Sequence, residues 1–145
     1  DLSGYNISAI ETQLGSPKSF ATIPAHSKRI TCHAFSLDDR FVATGSEDTT
    51  VCVWDTQTKR RVATLDCRSE RPNAIAFSPN GQLLVAGTEE GTLRFWATSA
   101  LQKPIATLQK HEHGITNVAF SPDGAVLASA GTTENKVRLW GFSKR

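Results

Sequence analysis

An internal repeat of 42 to 44 residues constrains this chain of 145 residues more than any other feature. Three markers carry it: an Ala-Thr pair followed by Ile or Leu, a Phe-Ser pair, and a tryptophan. They begin at Ala21, Ala63 and Ala106, at Phe35, Phe77 and Phe120, and at Trp54, Trp96 and Trp140. Three markers that share one spacing indicate three tandem structural units.

Within each unit the sequence predicts short strands separated by turns. The first strand alternates apolar and polar residues, the second is rich in small residues, and the third ends on the tryptophan. The predicted ranges are 30–35, 41–46, 51–54 and 62–65 in the first unit, 73–77, 83–88, 92–96 and 105–108 in the second, and 115–120, 126–130 and 137–140 in the third. Another all-β sandwich would also contain regularly spaced strands, but the shared period favours a repeat architecture.

Hairpin turns are predicted between the first two strands of each unit. The second and third units have Ser78-Pro79-Asn80-Gly81 and Ser121-Pro122-Asp123-Gly124 at this point. Proline presets φ, and glycine accepts positive φ. The first unit has Ser36-Leu37-Asp38-Asp39 instead, so we expect a less favourable turn there.

A period of this length, closed by a tryptophan, resembles the WD-repeat family. The Trp-Asp pair itself is present at Trp54-Asp55, whereas Ala97 and Gly141 follow the other two tryptophans. The resemblance implies an all-β fold: a β-propeller of four-stranded antiparallel blades, with strands a to d counted outward from a central channel. It also implies that each sequence repeat begins with strand d of one blade and continues with strands a to c of the next.

Three blades cannot close a ring, because propellers use at least about four. We therefore predict a partial ring, the C-terminal arc of a propeller with about seven blades. The absence of methionine favours an excerpt or processed product, and association of copies is the alternative. Residues 1–23 are predicted to end a preceding blade, with a strand d at 19–23 and a less clearly indicated strand at 7–12. Blade one is predicted in 24–66, blade two in 67–109, and blade three, which lacks its strand d, in 110–145.

The resemblance further implies a hydrogen-bonded network in each blade. Its members are a histidine before strand a, a hydroxyl on strand b, an acid in the b–c turn and the strand-c tryptophan. These positions correspond to His26, Ser46, Asp48 and Trp54 in blade one, and to His111, Ser129, Glu134 and Trp140 in blade three. A Ser-His-Asp set could also indicate a catalytic triad, but a structural network is favoured.

Blade two departs from this pattern. Arg68 stands at its histidine position and Glu90 at its acid position. We therefore expect a broken or rearranged network, with the strands held mainly by apolar packing around Trp96.

Metal binding and catalysis are weakly indicated. The candidate metal ligands His26, Cys32, His33 and Cys67 lack CxxC or HxxxH spacing, and adjacent strand residues such as Cys32 and His33 point to opposite faces. The chain also lacks a Gly-rich phosphate loop, a catalytic carboxylate pair and a nucleophile elbow. We expect no enzymatic activity, metal or cofactor.

Composition favours an intracellular chain, cytoplasmic or nuclear, with no membrane partner. The net charge is +2, 39% of residues are hydrophobic and 21% are charged. Three cysteines without CxxC spacing favour reduced thiols over a disulfide scaffold. The basic runs 59–61 and 143–145 are interpreted as solvated loop and tail residues.

Propellers commonly bind partners on the face formed by the d–a and b–c loops, which a rigid scaffold positions. The residues predicted on this face are Lys28, Arg29, Glu47, Arg68, Glu70, Arg71, Glu89, Glu112, His113, Thr133 and Asn135. Their mixed charge suits a protein partner. The sequence thus predicts a non-catalytic protein-interaction scaffold within a multi-subunit complex, completed by further blades or another copy. An RNA-binding propeller that uses Lys28, Arg68 and Arg71 is the alternative.

Overall fold

The computed structural model describes residues 21–142. This part of the chain forms three antiparallel sheets in which consecutive strands are neighbours. Blade one contains β1 (Ile30–Phe35), β2 (Phe41–Ser46), β3 (Thr50–Asp55) and β4 (Arg61–Asp66). Blade two contains β5 (Pro72–Phe77), β6 (Leu83–Thr88), β7 (Thr92–Ala97) and β8 (Ala106–Gln109). Blade three contains β9 (Ile115–Phe120), β10 (Val126–Gly131) and β11 (Val137–Gly141).

The predicted all-β repeat fold is confirmed. The observed bounds differ from the predicted bounds by at most one residue at either end of each strand. Of the predicted strand at 19–23, residues 21–23 form no strand and the rest lie outside the described residues, as does the predicted strand at 7–12. Residues 21–142 contain no helix with the length and apolar character that a membrane crossing requires.

The three a–b turns share one hydrogen-bonding pattern. In blade two, the Ser78 hydroxyl donates to the Asn80 side-chain oxygen at 2.6 Å and accepts the Leu83 amide at 2.9 Å. The turns that start at Ser36 and Ser121 repeat both bonds.

The first turn therefore has the geometry of the others, although it lacks their proline and glycine. Asp39 adopts a φ of 60°, where Gly81 and Gly124 both have 72°. Aspartate tolerates this left-handed conformation better than most non-glycine residues. The expected weakness is therefore confined to backbone strain at one residue.

Apolar side chains pack between neighbouring blades rather than within a single sheet. Val51 and Val53 of β3 are at most 1% exposed and share a buried cluster with Ile75, Ala86 and Trp96 of blade two. A second cluster joins the blade-two residues Ala74, Val85, Leu93 and Phe95 to the blade-three residues Ile115, Val118 and Leu127. The first strands β1, β5 and β9 also contact one another in sequence. Each blade is thus stabilised mainly through the blade beside it.

Glycine on strand b permits this close approach. A Cβ added at Gly45 would lie 2.6 Å from Cys32 Sγ of its own blade and 3.0 Å from the Pro72 side chain, and one added at Gly87 would overlap the Ile115 side chain. Pro72 and Ile115 begin the a strands of the following blades. Blade three has Ala130 at this position, paired with Val137 as Gly45 is with Val51.

The outer face of blade three is exposed and apolar. Val137 is 64% exposed and Leu139 is 70% exposed. By strand register they correspond to Val51 and Val53, which blade two buries. This face therefore has the composition of a blade-to-blade interface.

We predict that the chain self-associates through this face, because contiguous exposed apolar surface favours association. The double change Val137→Lys and Leu139→Lys should lower the association seen in sedimentation velocity. It should change the free energy of unfolding by less than about 0.5 kcal/mol, because both side chains are exposed. As a control, Val53→Lys places the same charge in a buried site and should unfold blade one. Unchanged sedimentation of the double variant would contradict the prediction.

Candidate functional site

A threonine on strand b joins the polar network of blade one. The His26 imidazole lies 2.9 Å from Asp48 Oδ2 through Nδ1 and 2.8 Å from Thr44 Oγ1 through Nε2. The Trp54 indole donates to the same Thr44 oxygen at 3.1 Å. One proton arrangement satisfies these three side-chain contacts: Nδ1 donates to Asp48, and Thr44 donates to Nε2 while it accepts from Trp54. The network therefore links the d–a segment, strand b, the b–c turn and strand c.

Asp48 is held in its charged form within this network. Burial alone would raise the pKa of Asp48, but hydrogen bonds from Thr50 and His26 outweigh burial and lower that pKa. The Thr50 hydroxyl and amide both donate to Asp48 Oδ1, at 2.6 and 3.0 Å. The acid thus fixes the start of β3 as well as the histidine.

Ser46, the hydroxyl that the sequence assigned to this network, has a different role. It is fully buried, donates to the Lys28 carbonyl at 3.2 Å and accepts the Asp48 amide at 3.1 Å. Residues two apart on a strand share a face, so Thr44 and Ser46 both point inward, but Ser46 lies one step closer to the loop. Counting from the Phe-Ser marker gives the right position, since Thr44 and Ser129 each lie nine residues after the phenylalanine.

Blade three repeats the network with a glutamate. Ser129 Oγ lies 2.7 Å from His111 Nε2 and accepts the Trp140 indole at 2.9 Å. Glu134 Oε2 lies 3.2 Å from His111 Nδ1, but Nδ1 forms no hydrogen bond within the described residues. The longer side chain instead accepts the Glu112 amide at 2.8 Å, and this bond lowers the pKa of Glu134.

Backbone hydrogen bonds gather the d–a and b–c loops at one end of the blades. Within blades one and two, the Glu47 amide donates to Arg29 O at 3.0 Å and the Glu89 amide donates to Arg71 O at 2.8 Å. Between these blades, the Cys67 amide donates to Thr49 O at 3.1 Å. We call this end the loop face, defined by residues 27–29, 47–49, 67–71, 89–91, 111–114 and 132–136.

Most side chains predicted for partner binding are exposed on the loop face. The exposed ones are Lys28, Arg29, Arg68, Arg71, Glu89, Glu112, His113, Thr133 and Asn135. Glu47 is half-buried and lies 2.7 Å from the Arg29 guanidinium. Glu70 differs, because its carboxylate turns inward to Thr88, Thr92 and Arg94. It therefore supports the loop face from behind and does not face a partner.

The cysteines form no metal cluster with other residues. Within residues 21–142, no group of three or more His, Cys, Asp and Glu side chains could hold a metal ion. Burial raises the pKa of Cys67 to about 12 and also raises the pKa of Cys32. Thiols with raised pKa values are poor nucleophiles at neutral pH.

A family model described as "WD domain, G-beta repeat" matches the chain at residues 17–55, 59–97 and 102–141. The three matches together cover more than half of the chain, and each ends where a strand c ends. The chain belongs to the WD-repeat family.

A curated relative is similar over one short stretch. "Ribosome assembly protein 4" of Chaetomium thermophilum is 47% identical over 38 residues. This stretch is 26% of the present chain and 7% of that protein. The similarity thus spans about one WD repeat.

Blade two replaces the family network with an ion pair between the buried Arg94 and the half-buried Glu70. Ala86 occupies the position of Thr44, so Trp96 meets no hydroxyl there. Instead, Arg94 Nη2 lies 3.2 Å from Glu70, which also accepts the Thr88 and Thr92 hydroxyls at 2.9 and 3.3 Å. Blade two thus has a rearranged polar network, and the Glu70–Arg94 pair stabilises it in addition to apolar packing.

We predict that Thr44→Val destabilises the chain by about 2 kcal/mol, because it leaves His26 and Trp54 without their shared partner. Urea denaturation measures the loss, and the indole N–H resonance of Trp54 should shift. Thr107→Val, on an exposed position of β8, should cost less than about 0.5 kcal/mol. If Ser46→Ala moves the Trp54 resonance and Thr44→Val does not, our assignment is wrong.

We also predict that Glu70→Gln destabilises the chain by about 3 kcal/mol, because it leaves the buried Arg94 charge uncompensated. The matched control is Glu90→Gln, which changes an exposed side chain and should cost less than about 0.5 kcal/mol. Replacing both Glu70 and Arg94 by leucine should cost less than Glu70→Gln alone. Equal effects of the two glutamine variants in thermal denaturation would contradict this prediction.

Proposed function

We propose that this chain is a non-catalytic scaffold that docks other proteins on its loop face. The supporting observation is the arrangement of polar groups in two layers. The inner layer of His26, Asp48, Glu70, His111 and Glu134 is hydrogen-bonded or ion-paired within the blades. In front of it, most predicted contact residues are exposed. Pre-positioned loops on rigid blades bind partners at low entropic cost.

The charge pattern of the loop face favours a protein partner. Arg29 pairs with Glu47 at 2.7 Å, and Arg71 lies 3.6 Å from Glu89. Paired charges give little net attraction for a phosphate backbone. They can exchange partners with acidic and basic side chains of another protein, which gives specificity.

The context that we propose is an intracellular multi-subunit complex, in the cytoplasm or the nucleus. WD repeats are typical of interaction scaffolds, and the name of a similar protein refers to an assembly process. We further propose that residues 1–23 end a preceding blade, and that more blades, from a longer chain or another copy, cover the apolar face of blade three. The proposed blade boundaries remain 24–66, 67–109 and 110–145.

The test is affinity recovery from cell extract followed by quantitative mass spectrometry. We predict that the variant Arg29→Glu with Arg71→Glu recovers its specific partner proteins at least about fivefold less than the wild type. Arg40→Glu is the control, since it reverses an exposed charge in the a–b turn, outside the loop face. Partner recovery that is the same for all three proteins would overturn the loop-face assignment.

RNA binding is the competing outcome, motivated by the exposed Lys28, Arg68 and Arg71 side chains. Recovery that nuclease treatment abolishes, together with steep salt dependence of binding to single-stranded RNA, would favour it. Recovery that survives nuclease treatment supports the protein scaffold.

A further inference from the structure

A second surface lies at the outer rim, away from the loop face. A groove of about 390 Å³ runs between β4 of blade one and the loop between β7 and β8 of blade two. Its lining residues are Val62, Ala63, Thr64, Thr98, Ser99, Leu101 and Gln102. We call it the rim groove.

The floor of the rim groove is apolar. Val62 is 52% exposed, while Ala63 and Leu101 pack against the buried cluster between blades one and two. The groove is thus the open end of a blade-to-blade core. An apolar side chain placed there would continue that core and lose its own contact with water.

The opposite wall of the groove is fixed in place. The Thr98 amide donates to Gln82 O at 2.9 Å, and its hydroxyl donates to Gly81 O at 2.6 Å. The Ala100 amide closes a turn onto Ala97 O at 3.0 Å. A wall with these bonds is pre-organised, so little ordering entropy opposes binding.

Positive charge surrounds the groove. Segments 57–64 and 98–105, which form its two sides, contain Lys59, Arg60 and Lys103, while Arg61 lies over the Trp54 ring on the other face of β4. Asp66, at the far end of β4, accepts the Arg68 amide at 2.8 Å. The nearby Asp55 carboxylate accepts the amides of Gln57 and Thr58, at 2.8 and 2.9 Å. The Asp55 charge is therefore engaged by amides of its own turn. The rim therefore offers basic side chains around an apolar floor.

β4 also offers backbone groups to a ligand. It is the last strand of its sheet and pairs only with β3 within the described residues. Edge strands present unpaired N–H and C=O groups, and basic side chains often prevent such a strand from pairing with the edge of another sheet. Protection alone would not require an apolar groove beside the strand.

We propose that the rim groove binds an extended acidic peptide segment of a partner protein, with one apolar side chain seated between Val62 and Leu101. Such a segment would lie along the free edge of β4, as peptides do in strand addition. Its flanking carboxylates would face Arg60 and Lys103. A bare phosphate backbone would satisfy the charges and leave the apolar floor unused. This site is independent of the loop face.

The test is titration of the isotope-labelled chain, followed by NMR, with a short peptide that has a central leucine flanked by glutamates. We expect amide shifts in residues 61–64 and 98–102. Arg60→Glu with Lys103→Glu should weaken binding at least about fivefold, and Val62→Ser about fivefold. The loop-face variant Arg29→Glu with Arg71→Glu should bind the peptide normally, which separates failure of this proposal from failure of the loop-face function.

Two control peptides and one nucleic acid decide the outcome. A peptide with lysines in place of the glutamates, and one with serine in place of the leucine, should bind more weakly. Equal binding of either control peptide, or shifts confined to the loop face, would overturn the proposal. So would oligouridylate that shifts the same amides more strongly than the acidic peptide does.

Discussion

The structure depends on apolar packing between neighbouring blades, because none of the three sheets buries its side chains alone. Val51 and Val53 reach full burial only against blade two, and Leu93 and Phe95 only against blade three. The same requirement explains Gly45 and Gly87, which let strand b approach the next strand a. It also explains the exposure of Val137 and Leu139, where the described chain places no further blade.

Each blade then fixes its loops with a half-buried carboxylate, but the chemistry differs among blades. Blade one uses Asp48 with His26, and blade three uses Glu134, whose additional methylene redirects it to the Glu112 amide. Blade two lacks the histidine and uses Glu70 with Arg94. A charge left alone in such a site is costly, so each carboxylate retains partners. The loops are therefore held in position by groups that no docked partner needs to touch.

The two candidate surfaces present opposite electrostatic patterns. The loop face pairs Arg29 and Arg71 with glutamates from the neighbouring loop, which suits a partner of mixed charge. Around the rim groove, Lys59, Arg60 and Lys103 lie in the two segments that form its sides, which suits an acidic partner. Under the two proposals, one scaffold would bind two chemically different segments at separate sites.

The repeat period determined the tandem all-β units, because strand alternation, turn residues and the tryptophans recur with one spacing, and the resemblance to WD repeats implied that these units are propeller blades. Local patterns of this kind predicted the strands to within one residue. The sequence also placed His26, Asp48, His111 and Ser129 in polar networks. Its choice of Ser46 over Thr44 was wrong, although aligning the repeats on the Phe-Ser marker selects Thr44; the position of Trp54 on the neighbouring strand decides between the two inward-pointing hydroxyls. The sequence also did not predict that Glu70 points inward or that the rim groove exists. Each depends on residues from different elements or blades that only tertiary packing brings together.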